Sequence, residues 1–334
     1  MRGTINYKSY ADLSNDIRNN IFKFQNVYFD LVVGLPRSGM VPAYMIALHL
    51  NIDCTDLKSF INNIPLKKGA TRNSKDELVL PHNAKNILLV DDSIWSGASL
   101  SKDLKLIPKQ LRQNITTLAV YSTESSRADV DIFLEYLPTP RIFEWNIFHH
   151  DIMSRSCLDI DGVLCLDPAE EENDDGDKYK KFILNTTPLF LPSTRVHSLV
   201  TSRLEKYRDE TEKWLSKYSI EYDNLIMLDL PSKAERLRLQ AHSKHKAKYY
   251  KNSETVFFIE SEPSQSSEIC QLAGKPVYCV KNNYMYYPNE FNKIVKKQKK
   301  IREYIPESIK KNIRSLRNLL KLKINLLHNK SANK

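Results

Sequence analysis

Short apolar runs that stop at an acid, a hydroxyl or a glycine recur along this chain. Leu31-Val32-Val33 ends at Gly34, Ile87-Leu88-Leu89-Val90 at Asp91-Asp92, and Cys157-Leu158 at Asp159. Leu199-Val200 ends at Thr201, and Val256-Phe257-Phe258-Ile259 at Glu260. Unbroken aliphatic runs of this length predict strands buried on both faces, as in parallel sheets. Ligands of such sheets bind at the carboxyl ends of the strands, where these polar residues fall. Late in the sequence the period changes. Ile305, Ile309, Ile313, Leu316, Leu320, Ile324 and Leu327 recur at steps of three and four, which predicts one amphipathic helix over residues 306–328, with Pro306 at its first position.

Length turns this pattern into an architecture. A chain of 334 residues, 41% apolar and 27% charged, is long for a single core, so two α/β domains are expected. The five cysteines are scattered without a C-x-x-C pair and read as reduced thiols of a cytoplasmic protein. No stretch resembles a signal peptide or reaches membrane-spanning length without charge. The formal charge of +10 is unevenly placed: residues 291–334 carry fourteen Lys/Arg against two Glu, and the remainder is near neutral. A near-neutral body argues against nucleic-acid binding. A basic amphipathic tail suits an anionic membrane surface; a stripe packing on the enzyme or forming a homodimer is the alternative, but it does not need this much one-sided charge.

Two of the strand ends carry phosphate-binding chemistry. After Asp91 and Asp92 comes Ser93-Ile94-Trp95-Ser96-Gly97-Ala98-Ser99, a small, hydroxyl-rich turn opening a helix, where backbone amides cradle a phosphate. About fifty residues earlier, Gly34-Leu35-Pro36-Arg37-Ser38-Gly39 is a tight turn carrying a cation, and a guanidinium binds phosphate oxygens bidentately. Together these loops resemble the 5-phosphoribosyl-1-pyrophosphate (PRPP) signature of type I phosphoribosyltransferases. The resemblance implies that Arg37, Ser38 and Gly39 wrap the pyrophosphate. It implies that Asp91, Asp92 and Ser93 meet the ribose, and that Ser96, Gly97, Ala98 and Ser99 hold the 5-phosphate. Trp95 is larger than the family's usual residue there. The polar segment 60–83, with Lys68 and Arg72, falls where the family carries a mobile loop; a solvated loop reads nearly as well.

A second centre follows. Asp159-Ile160-Asp161-Gly162 places two carboxylates on one face of an extended chain, able to bind a hard cation and to supply a nucleophile and an acid/base. This resembles motif one of haloacid dehalogenase (HAD) superfamily phosphatases, and later elements occur in that family's order. The resemblance implies Asp159 as nucleophile, Asp161 as acid/base and Thr201 as phosphoryl ligand, with Ser202 next. It implies Lys246 as the neutralising cation, with Lys248 as fallback, and Mg²⁺ held by Asp159, Asp161 and Glu260 or Glu262. Only about forty residues separate the first two motifs, so no large cap is expected and the site should be open. The acidic run 167–177 reads as a solvated flap edge, and the pairs His149/His150 and His242/His245 lack a zinc ligand set.

The expected organisation is a phosphoribosyltransferase domain over residues 1–150, a HAD Rossmann-like domain over 151–285 and a basic tail over 286–334. Installing a 5-phosphoribosyl group and then removing its phosphate leaves a ribofuranosyl group. That outcome defeats nucleotide salvage but suits a glycan. The arrangement is similar to the phosphoribosyltransferase-type glycosyltransferases and partner phosphatases of bacterial capsule and O-antigen synthesis. The expected partners are therefore PRPP, a lipid-linked glycan acceptor and the inner face of the cytoplasmic membrane. A nucleobase phosphoribosyltransferase with a fused nucleotidase is the competing enzyme, and a PRPP-sensing regulator the non-enzymatic one.

Overall fold

The computed structural model describes residues 5–69 and 78–288. The tail helix expected at 306–328 lies outside the described residues, as do Arg72 and the rest of 70–77. Among the described residues no helix is long and apolar enough to cross a membrane.

Thirteen strands form three sheets among these residues. They are β1 (Asn6–Lys8), β2 (Leu31–Gly34), β3 (Asp53–Asp56), β4 (Ile87–Ile94), β5 (Ile115–Ser122), β6 (Ile132–Tyr136) and β7 (Arg141–Phe143). Then come β8 (Ser156–Leu158), β9 (Val196–Leu204), β10 (Tyr222–Leu228), β11 (Phe257–Glu260), β12 (Val277–Cys279) and β13 (Tyr284–Tyr286). The first large sheet has the order β3-β2-β4-β5-β6 and is parallel throughout. Leu31, Val32, Val33, Ile87, Leu88 and Val90 are fully buried between its helical layers, as their unbroken apolar runs require. Gly34 lies opposite Val90, so the turn after β2 and the acids of β4 reach the same sheet end.

The second large sheet has the order β10-β9-β8-β11-β12-β13. Its strands are parallel except for the last, which returns antiparallel to β12. Helices Asp177–Asn185 and Arg208–Lys217 follow β8 and β9, and Ala241–Asn252 and Pro263–Ala273 flank β11. The alternation of strand and helix gives the parallel-sheet α/β layering expected.

Two strands outrun the apolar patterns that announced them. β4 continues through Asp91, Asp92 and Ser93 to Ile94, held by β5 with Ile94 opposite Ser122. β9 continues past Thr201 to Leu204. Polar residues can sit inside a strand wherever the neighbouring strand still satisfies the backbone.

Adjacent residues of β7 face two cores, Phe143 that of the first large sheet and Ile142 that of the second. Ile5, Ile142, Ile147, Phe148, Ile152 and Met153 join one buried cluster with Leu158, Ile160, Leu199, Trp214, Phe257 and Ile259. The small sheet of β1 and β7 lies at this junction. Tyr7 stacks near Tyr278 with ring centroids 5.3 Å apart, and the Tyr287 hydroxyl donates to the Ile5 carbonyl at 2.7 Å. Tyr286 and Tyr287 are thus part of the folded body.

Candidate active sites

The first site forms where β2 and β4 end. The Leu35 amide donates to the Val90 carbonyl at 2.9 Å, folding the turn 35–39 back over the acids. Gly39 is needed for this approach: a Cβ there would stand 2.6 Å from the Leu35 carbonyl oxygen and 2.9 Å from that of Val90. Ser38 donates from Oγ to Asp92 Oδ1 at 2.8 Å, tying the two loops together. Arg37 is exposed at the turn's rim.

Because β4 continues through them, adjacent Asp91 and Asp92 point to opposite faces. Asp92 is buried, 5% exposed, and its second oxygen accepts from the Trp145 indole at 2.7 Å. Trp145 stacks on Phe143, with centroids 4.7 Å apart. Asp91 instead lines a cavity of 590 Å³. Burial, then the charge of Asp92, pushes its carboxyl up to about 8. A buried acid next to another acid holds its proton more tightly, and hydroxyls of a bound sugar would relieve that penalty.

The phosphate turn closes the same cavity. Gly97 is in the left-handed region at φ 74°, a conformation that favours glycine, and the helix Ala98–Leu106 starts immediately after it. Ser96, Ala98 and Ser99 are exposed and Ser93 half-buried. Arg127 braces the turn from outside. Its Nη1 donates to the Trp95 carbonyl at 2.7 Å, and its other nitrogens form a two-pronged contact with Asp129. Trp95 itself stands 72% exposed at the cavity mouth. The far wall is Arg141, Asn146, His150 and Arg155. Arg141 donates to the Ile94 carbonyl at 3.2 Å, while its Nη1 and the Asn146 Oδ1 are buried without a hydrogen-bond partner. Lys68, proposed for the loop, lies 3.9 Å from Asp53 on the edge strand β3.

The second site forms where β8, β9 and β11 end. Asp159, Asp161, Thr201, Ser202 and Lys246 line one cavity of 140 Å³, together with Asp167, Arg236, His242, Glu262 and Gln265. Lys246, on helix Ala241–Asn252, is 1% exposed. It donates to Asp159 Oδ2 at 2.6 Å and to Glu260 Oε2 at 2.7 Å. Lys248, two residues on, faces solvent, since a step of two crosses to another side of a helix. Burial, then the nearby carboxylates Glu260 and Asp161, raises the Asp159 carboxyl despite Lys246.

Arg203 is the residue that motif reading passed over. It is fully buried and forks Asp161, with Nη2 to Oδ1 at 2.6 Å and Nε to Oδ2 at 3.1 Å. Its Nη1 donates to Thr211 Oγ1, and Nη2 also reaches Cys165 Sγ. The signal was present: Arg203 is two residues beyond Thr201, and on a strand i and i+2 share a face. Thr201 is fully buried, its Oγ1 accepting from the Arg203 amide. His242 is held near pKa 4 by burial and then by Arg236, so it is neutral.

The two glutamates divide. Glu260 is fully buried on Lys246, whereas Glu262 pairs with Lys281 at 2.6 Å on the rim. Among the described residues no three His, Cys, Asp or Glu converge as a ready metal cage. The acidic run also splits. Asp167 lines the cavity, and Asp175 accepts from Tyr207 and from the Lys233 amide, so this segment is more than a solvated edge.

The family model described as "Phosphoribosyl transferase domain" matches residues 5–152, so a type I phosphoribosyltransferase domain occupies that stretch. Among solved structures, Helicobacter pylori xanthine-guanine-hypoxanthine phosphoribosyltransferase is similar at 21% identity. The match spans 42% of this chain and 93% of that one, with a TM-score of 0.31. A purine phosphoribosyltransferase from Pyrococcus horikoshii is similar at 16% identity over 43% and 94% of the two chains, also with a TM-score of 0.31. No curated protein matches the sequence.

Proposed function

We propose, from the premise that residues 5–152 form a phosphoribosyltransferase domain, that the chain makes ribofuranosyl groups in two steps. The first site transfers 5-phosphoribosyl from PRPP to a hydroxyl of a lipid-linked glycan. The second removes the 5-phosphate, in bacterial capsule or O-antigen synthesis. The observation that carries this reading is the joining of Asp159, Asp161 and Lys246 in one cavity on a body that already holds the Ser38–Asp92 junction.

At the first site, Asp91 would receive ribose hydroxyls, while Asp92 is committed to Ser38 and Trp145 and orients the strand end. The amides of residues 96–99 would hold the 5-phosphate, and the turn 35–39 with Arg37 the pyrophosphate. Acceptor attack on C1 opposite the departing pyrophosphate inverts the centre and gives a β-ribofuranoside.

At the second site, Asp159 Oδ is the nucleophile toward phosphorus, in an aspartyl-phosphate route. Lys246 neutralises both it and the phosphoryl oxygens, and Thr201 and Ser202 offer hydroxyls to the phosphoryl group. Asp161 is aimed by Arg203 and handles the proton of the leaving O5 and then of water. The donor set fits Mg²⁺: Asp159, Asp161, Asp167, Glu260 and Glu262 outnumber the buried cations Lys246 and Arg203, and all are hard oxygen donors. Asp159 and Asp161 would hold the ion, with Glu260 remaining on Lys246. A bound Mg²⁺ supplies charge neutralisation of the phosphoryl group.

The test is to incubate the protein with PRPP, Mg²⁺ and liposomes bearing a bacterial lipid-linked glycan extract, alongside a nucleobase panel. A glycan gaining one pentose, with pyrophosphate and phosphate released in equal amounts, is the expected outcome. Nucleotide or nucleoside formed from a base would replace this reading with salvage.

A further inference from the structure

The two cavities sit at opposite ends of one strand. Asp151, Ile152 and Arg155 line the first; β8 follows at once; Asp159 and Asp161, just beyond it, line the second. The cavities share no lining residue. Between them stand Met153, Leu158, Ile160, Phe257 and Ile259, each 0% exposed in one apolar cluster. The strand between them, Ser156–Leu158, spans roughly 10 Å at ~3.3 Å per residue. An apolar core packed at crystal-like density admits no phosphorylated sugar.

Resting on the two-step reading above, we infer that the 5-phosphoribosylated glycan is a released intermediate. It leaves the first cavity, passes through solvent and enters the second from outside. In the first step the C1–pyrophosphate bond breaks, the acceptor oxygen bonds C1, and the acceptor proton goes to solvent. In the second, water oxygen ends on phosphorus, the P–O5 bond breaks and O5 takes a proton. Nothing in either step requires the two cavities to meet. The second site therefore acts on phosphoribosyl ends made by any copy of the protein.

The experiment mixes two full-length variants. D159N lacks the second-site nucleophile, and D92N breaks the Ser38–Asp92 junction that ties the two first-site loops together; S96W, at an exposed position, replaces D92N should that variant fail to fold. Each is incubated alone and together with PRPP labelled at the 5-phosphate and liposomes bearing the lipid-linked glycan extract. The expected result is labelled glycan with D159N alone and nothing with D92N alone. The mixture should release label as free phosphate, at a rate that rises with D92N concentration toward that of wild type. A mixture that accumulates labelled glycan without phosphate, while wild type releases it, would show transfer inside one molecule and overturn the inference. No labelled glycan with D159N alone would overturn the two-step reading itself.

Discussion

Arg203 and Asp91 show how single side chains set the chemistry here. A buried guanidinium fork fixes the direction of Asp161, and lysine cannot reproduce two parallel contacts. R203K is expected to lower phosphate release by on the order of 10²-fold with little change in KM, and to displace the acidic limb of the pH–rate profile. Hydrolysis of p-nitrophenyl phosphate across pH measures both. A purely structural role would lower kcat without moving the pH profile. For Asp91 the sign follows from its raised carboxyl. In the folded protein it holds a proton up to about 8, whereas unfolded it loses it near 3.9. The folded state thus binds more protons across that window, and stability falls as pH rises through it. D91N should therefore raise the melting temperature more at pH 8 than at pH 5, while weakening PRPP binding; thermal melts at both pH values decide it. The motif residues Asp91, Asp159 and Lys246 could be singled out in the sequence because their chemistry is local. Trp145 could not, because its bond to Asp92 closes a gap of 53 residues and nothing near Trp145 hints at it.

At the scale of elements, the turn before helix Ala98–Leu106 keeps its shape because outside residues hold it. Removing Arg127 frees the Trp95 carbonyl and leaves Asp129 unpaired beside Gly97. R127A should raise the KM for PRPP by about tenfold, roughly 1.4 kcal/mol, with pyrophosphate release as the readout. G97A should be worse, since the left-handed φ disfavours a side chain and a Cβ would meet Asp129 Oδ2 at 1.9 Å. Only β2, β4, β8, β9 and β11 could be read from the apolar runs, and the order of the candidate loops followed from them. Strand ends could not: β4 and β9 persist through polar residues because β5 and β10 continue to pair with them, a tertiary contact that apolar periodicity does not record. The same limit hid the opposite facing of Asp91 and Asp92.

At the scale of the whole molecule, the junction matters more than either domain. Phe148 lies in the cluster shared with the second sheet and stacks on Phe190 with centroids 5.0 Å apart. F148A should cost about 3–5 kcal/mol. Because β7 contributes to both cores, calorimetry should show one transition moving down as a whole; two separated transitions would mean the domains melt independently. The order in which a ribosome delivers the chain gives that junction a further meaning. Ile5 and Tyr7 precede the other described residues, yet their partners Tyr278, Asn283 and Tyr287 emerge some 270 to 280 residues after them. Domains usually settle in the order of their synthesis. Here the opening strand must wait, its apolar side uncovered, until the last described strands arrive, so a nascent chain halted midway leaves even its first domain unfinished.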